Sequence, residues 1–147
     1  MIHAGLAVSI LIRLQLVPFL VDSTRGEVVR TILESLALRY RMVLETIEGI
    51  VDSRFDTLHI VGGGGQNLLL NQFTANAVVR PVVVGPIEAT AAGNVLMQMV
   101  ASGEISSLDE GREIIRRSFE LTTYLPEDGD VWEEAYGRFR CIFHLAK

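Results

Sequence analysis

Leu58-His59-Ile60-Val61-Gly62-Gly63-Gly64-Gly65-Gln66-Asn67-Leu68-Leu69-Leu70 is the stretch on which the reading of this chain turns. An apolar run of strand length stops at four consecutive glycines, and an apolar, helix-periodic segment follows them. Each glycine loses more backbone freedom on folding than any other residue, so a chain accepts several together only for a reason. Either the turn needs positive φ or something must approach the backbone closely. The glycines fall at a strand-to-helix junction, where free N–H groups and the positive helix end favour anions. A nucleotide phosphate fits such a junction. A tight turn with no ligand fits it equally, and the glycines alone leave both open.

Working outward, the flanking segments read as an α/β layer structure. Upstream, Thr24 and Glu27 have capping-box spacing, and Val28, Val29, Ile32, Leu33, Leu36, Tyr40, Val43, Leu44 and Ile47 recur at three and four. That predicts a helix to about Glu48 with Gly49 as its stop. Residues 57–61 read as a buried strand, and 67–79 as a helix closed by Arg80-Pro81. Val82-Val83-Val84 reads as a second buried strand ended by Gly85-Pro86, and 88–101 as a helix stopped by Gly103. Ser107 with Glu110 caps another helix, with Ile114, Ile115 and Phe119 on its apolar side. The last helix starts near Asp130 and carries Trp132, Tyr136, Phe139 and Phe143 on one stripe, the pattern of core packing. This order predicts a parallel strand pair joined by a right-handed crossover. Ligands in such sheets sit at the carboxyl ends of the strands, where both the 62–65 and 85–88 turns fall.

The chain has 147 residues, 49% hydrophobic and 21% charged, which suits one globular unit. A net charge of −5 argues against nucleic-acid binding, since no basic face is offered to phosphates in number. The lone Cys141 excludes an internal disulfide framework and suits a reducing cytoplasm, and His3, His59 and His144 share no ligand spacing. Residues 4–21 are mostly apolar, but Arg13 and Gln15 interrupt them, so no membrane span or signal peptide is read there. Residues 10–17 alternate like a half-buried strand, with a cryptic start as the other explanation.

Missing motifs narrow the ligand. There is no GxxxxGK[ST], so the glycines are not a Walker phosphate loop. A dinucleotide fingerprint would want glycine where Asn67 stands and an acidic residue ending the second strand. Gln66, Asn67 and Thr90 can hydrogen-bond neutral groups such as those of an adenosine, and Asn67 can equally serve only as a helix cap.

His59 to Asn67, then Leu69-Leu70-Asn71-Gln72 and Thr74-Ala75, resembles the C-terminal lobe of the FGGY carbohydrate kinases. Arg80-Pro81-Val82 and Gly85-Pro86-Ile87-Glu88-Ala89-Thr90-Ala91-Ala92-Gly93-Asn94 resemble the rhamnulokinase branch in particular, and Gly26-Glu27-Val28-Val29-Arg30 with Leu33-Glu34-Ser35-Leu36-Ala37 is similar to the helix preceding the 57–61 strand in the same family. The resemblance spans residues 24–143. It implies the C-terminal lobe of an actin-like, RNase H-like ATPase fold in truncated form, with few strands and about five helices. It divides the chain into an atypical segment 1–21, a possible strand, and a nucleotide-binding lobe 22–147.

By the same resemblance, the whole protein would phosphorylate L-rhamnulose to the 1-phosphate with ATP and Mg2+. Gly62, Gly63, Gly64 and Asn67 would border the nucleotide, with Gln66 beside them, while Ala89, Ala92 and Gly93 would let their helix pack close. The family's general base, γ-phosphate contacts and most sugar contacts come from an N-terminal lobe, so no catalytic residue is assigned here. Asp109, Glu110, Glu133 and Glu134 read as solvated helix faces. The expectation is a lobe inactive alone, cytoplasmic and self-associating, bound to adenine nucleotide and not to nucleic acid or membrane. The alternative is a non-catalytic remnant or a nucleotide-binding interaction module.

Overall fold

The computed structural model describes residues 24–145, with the side chains described to residue 142. Residues 10–17 therefore lie outside it. Helix α1 (Arg25–Val51) opens at the expected capping box: Glu27 N–H donates to the Thr24 hydroxyl, and the Glu27 carboxylate accepts from Thr24 N–H at 2.7 Å. Its stop is not Gly49. The helix runs on to Asp52, which takes the left-handed conformation at φ 50° and donates its N–H to the Glu48 carbonyl. The Glu48 carboxylate is held by Arg80 and by the Phe55 N–H, so distant contacts secure the last turn that local glycine chemistry would have ended early.

Strand β1 (Leu58–Ile60) runs parallel to β2 (Val82–Val84), with Leu58 opposite Val82 and Ile60 opposite Val84. A third strand, β3 (Thr122–Tyr124), pairs antiparallel on the other side of β2, placing Tyr124 opposite Val82. The sequence reading has no strand there. Thr-Thr-Tyr is too short to show alternation, and it is ordered by the open edge of β2 rather than by its own pattern. β1 is also less buried than its apolar run suggests, with His59 exposed, because among the described residues it is an edge strand.

Helix α2 (Leu68–Val78) is the centre of the molecule. From Phe73 to Val78 every residue is buried, and Asn71 is fully so. It packs α1 on one side, α5 (Gly129–Leu145) on another and β2 beneath. One core joins Ala37 and Leu38 of α1, Phe73 and Ala77 of α2, and Trp132, Tyr136 and Phe139 of α5, with the Phe73 and Trp132 rings 5.3 Å apart. Trp132, Tyr136 and Phe139 of the α5 stripe are thus core, as their spacing indicates, while the Phe143 side chain lies outside the described residues. A second core, Leu44, Ala75, Val78, Val82 and Val84, seals one face of the sheet. Each leucine or valine side chain among them contributes about 1.5–3 kcal/mol when taken fully out of water. Arg41 stitches the three helices: it donates to the Ala77 carbonyl at 3.1 Å, pairs with Glu45 and Glu133, and lies 4.0 Å over the Tyr136 ring. Burial, followed by the hydrogen bond to Glu45, pushes the Tyr136 hydroxyl up to about 12.

Helices α3 (Ala89–Ser102) and α4 (Leu108–Ser118) form a hairpin beside this core. Gly103 at φ 77° ends α3 by donating to the Met99 and Val100 carbonyls, and Ser107 caps α4 by accepting from Glu110 N–H. α3 buries no residue fully and takes its contacts chiefly from α4.

Candidate functional site

Residues Gly63–Gln66 form a single 3-10 turn between β1 and α2, closed by Gly65 N–H donating to the Gly62 carbonyl at 3.1 Å. The glycines are needed for different reasons. Gly62 enters the turn at φ 78° and ψ −168°, a region open only to glycine. Gly65 is buried, and a Cβ there would sit 2.6 Å from Val84 Cγ1. Gly63 and Gly64 are exposed, lack positive φ, and would give an added Cβ no neighbour within 4 Å. The fold itself has no use for glycine at those two positions.

The two glycine-bearing turns are joined, as the sheet topology implies. Gly62 N–H donates to the Pro86 carbonyl at 3.0 Å, and Gly85 N–H donates to the Ile60 carbonyl at 2.7 Å. Asn67 turns its side chain back to cap α2, accepting from Leu70 N–H at 3.0 Å. One turn further on, Asn71 donates its side-chain amide to the Gly65 carbonyl at 2.8 Å, while its own amide oxygen is buried without a partner. Sequence reasoning missed this fixing of the turn from below; a polar residue on the buried side of an apolar helix was the available signal. Thr90 is exposed in the first turn of α3.

Beside the turn lies a cavity of about 390 Å3, within the size range of small-molecule sites. Its walls are Gly65, Gln66 and Leu68, then residues 84–88 from the end of β2, then Phe119, Glu120, Thr122 and Tyr124. Of the five residues expected at a nucleotide, Gln66 lines it, whereas Gly62, Gly63, Gly64 and Asn67 are not in its lining. Gly64 instead borders an apolar groove of about 690 Å3 along β1, with Tyr40, Val43, Ile47, Leu58, Ile60 and Asn71 among its walls. Among the described residues that groove runs along β1, an edge strand of the sheet. The wall from Phe119 to Tyr124 was invisible in the sequence because it reaches the glycine turn only through the pairing of β3.

The carboxylates serve structure. Asp109 pairs with Arg112, Glu134 with Arg138 and Glu133 with Arg41, all exposed, as the reading of solvated faces requires. Glu110 also caps, and accepting from Ser106 N–H and hydroxyl holds it below the ordinary glutamate value. Hydrogen bonds from Arg80 and from Phe55 N–H pull Glu48 down in the same way. Among the described residues no group of three or more His, Cys, Asp or Glu side chains could hold a metal ion. No helix among these residues is long and apolar enough to cross a membrane.

Residues 12–102 match the model of the FGGY family of carbohydrate kinases, C-terminal domain. The chain is 51% identical over 123 residues to a rhamnulokinase of Bacteroides thetaiotaomicron, covering 83% of itself and 25% of that protein. It is 40% identical over 110 residues to the Bacillus subtilis rhamnulokinase, covering 75% of itself and 23% of that protein. The crystal structure of xylulose kinase from Rhodospirillum rubrum superposes with a TM-score of 0.68 at 18% identity, over 84% of this chain and 25% of that one, which shows the fold. The chain thus spans about a quarter of the length of the curated relatives it matches. With an actin-like α/β lobe that has five α-helices and a three-stranded sheet among the described residues, it belongs to the FGGY family of carbohydrate kinases as their C-terminal domain.

Proposed function

We propose that residues 22–147 are the nucleotide-binding lobe of an ATP-dependent sugar kinase, with the turn at Gly62, Gly63 and Gly64 lying against the nucleotide. The observation that carries this is at Gly63 and Gly64. Neither backbone conformation nor packing asks for glycine there, so the remaining reason is the close approach of something from outside. The cavity at the carboxyl end of β2 lies beside the same turn, with Gln66 in its wall. The residues fit a nucleoside: a mostly apolar cleft with amide, hydroxyl and carboxylate groups. When bound, ATP would supply the transferable phosphoryl group; this chain's part is to hold and orient it.

The identity to rhamnulokinases supports L-rhamnulose as the sugar of the complete protein, phosphorylated in the cytoplasm. Phosphoryl transfer depends on positioning and charge stabilisation around the phosphates. By the family resemblance the general base comes from an N-terminal lobe, so this chain by itself is expected to turn over no sugar. Titration with ADP tests the reading: saturable binding below millimolar concentration is expected. No binding up to millimolar ADP would remove the nucleotide role and favour a non-catalytic module.

A further inference from the structure

We propose that the apolar groove between α1 and β1 is a separate small-molecule site, taking an apolar compound with one neutral hydrogen-bond donor, and that its occupant steadies the glycine turn through Asn71. The site is distinct from the cavity lined by Gln66 and does not rest on the nucleotide reading.

The groove has a volume of about 690 Å3, inside the range of small-molecule sites. Val43 and Ile47 of α1 form one wall, Leu58 and Ile60 of β1 another, and Asn71 of α2 joins them. Val43 is 42% and Ile47 43% exposed, so among the described residues nothing covers this apolar surface.

Asn71 makes the groove more than a bare apolar face. The residue is fully buried and lines the groove, and its side-chain nitrogen is committed to the Gly65 carbonyl at 2.8 Å. Its Oδ1 has no partner. A buried acceptor left unpaired costs free energy, which a donor brought by a ligand recovers. The groove therefore suits a molecule that is apolar over most of its surface and carries a single donor. Charge decides the kind of donor. The described lining contains no Asp or Glu, while Arg39 and His59 belong to it. An ammonium would find no counter-charge there and would be repelled by the guanidinium, so the donor is a neutral hydroxyl or N–H.

The same amide ties the groove to the turn. A donor on Oδ1 polarises the Asn71 amide and strengthens its hydrogen bond to the Gly65 carbonyl. Gly65 N–H in turn closes on the Gly62 carbonyl. Filling the groove thus tightens the turn from beneath.

The test is calorimetric titration of the full chain with indole, which has one N–H donor, and with N-methylindole, which has none. Saturable binding of indole is expected, about tenfold tighter than N-methylindole. Ile47→Trp fills the groove from an exposed position and should abolish indole binding. Asn71→Leu should make the two probes equal; if it does not fold, the wild-type comparison decides. Hydrogen exchange of the amides at 62–66 should slow with indole and not with N-methylindole. Equal affinity of the wild type for both probes would overturn the role of Asn71. Undiminished indole binding by Ile47→Trp, or no saturable binding by the wild type, would overturn the site itself. Unchanged exchange at saturating indole would overturn the coupling to the turn and leave the site standing.

Discussion

Gly64 and Gly65 are neighbours with opposite reasons for being glycine. At Gly65 the fold forbids a side chain, since a Cβ would press on Val84 Cγ1. Gly65→Ala is therefore expected to lower stability by about 1–3 kcal/mol through overpacking. At Gly64 the space is open, and Gly64→Ala should leave stability unchanged or raise it by about 0.5–1 kcal/mol, because the unfolded chain loses freedom. Yet Gly64→Ala is expected to weaken ADP. Denaturant midpoints and ADP titrations on the two variants separate the effects; wild-type ADP affinity in Gly64→Ala would end the close-approach argument. Part of this was legible in advance, because a run of glycines has few explanations. What could not be read was Asn71 reaching Gly65 from beneath, or Phe119 arriving from far along the chain. Both contacts exist only once the elements are packed.

The helix starts were the most legible elements, and their ends were less so. Thr24 with Glu27, Asn67, and Ser107 with Glu110 all cap as their sequences indicate, since a cap is a contact three residues long. The end of α1 depends instead on Glu48 meeting Arg80, and β3 on an edge supplied by β2, so neither was written locally. One helix end is strained. Val79 closes α2 in the left-handed conformation at φ 53°, which a β-branched residue resists. It is 40% exposed, so its apolar contribution is modest. Val79→Asn is expected to stabilise the protein by about 1 kcal/mol, because asparagine enters this region at lower cost. Thermal melts check it, and a lowered midpoint would show that Val79 packing outweighs the strain.

At the scale of the whole molecule, β1 and β3 are the two edge strands of the sheet among the described residues. Beside β1, α1 exposes Val43, Ile47 and Ile50 in helical register. An edge strand next to apolar surface invites pairing. We expect the isolated chain to self-associate at micromolar concentration, with Ile47→Lys shifting it towards the monomer. Size-exclusion chromatography with light scattering reads this directly, and a monodisperse monomer of the wild type would refute it. The fold class was visible in the alternation of helix and strand periods. The number of strands was not, because three-residue strands carry too little pattern.

The hairpin of α3 and α4 hangs from this body by the Gly85–Glu88 turn at one end and Phe119 at the other, and both attachments are walls of the same cavity. Since α3 buries nothing fully, swinging the pair away breaks few apolar contacts and leaves both cores intact. The least costly breathing motion of this lobe is therefore expected to be one that widens that cavity, opening it without the protein having to unfold.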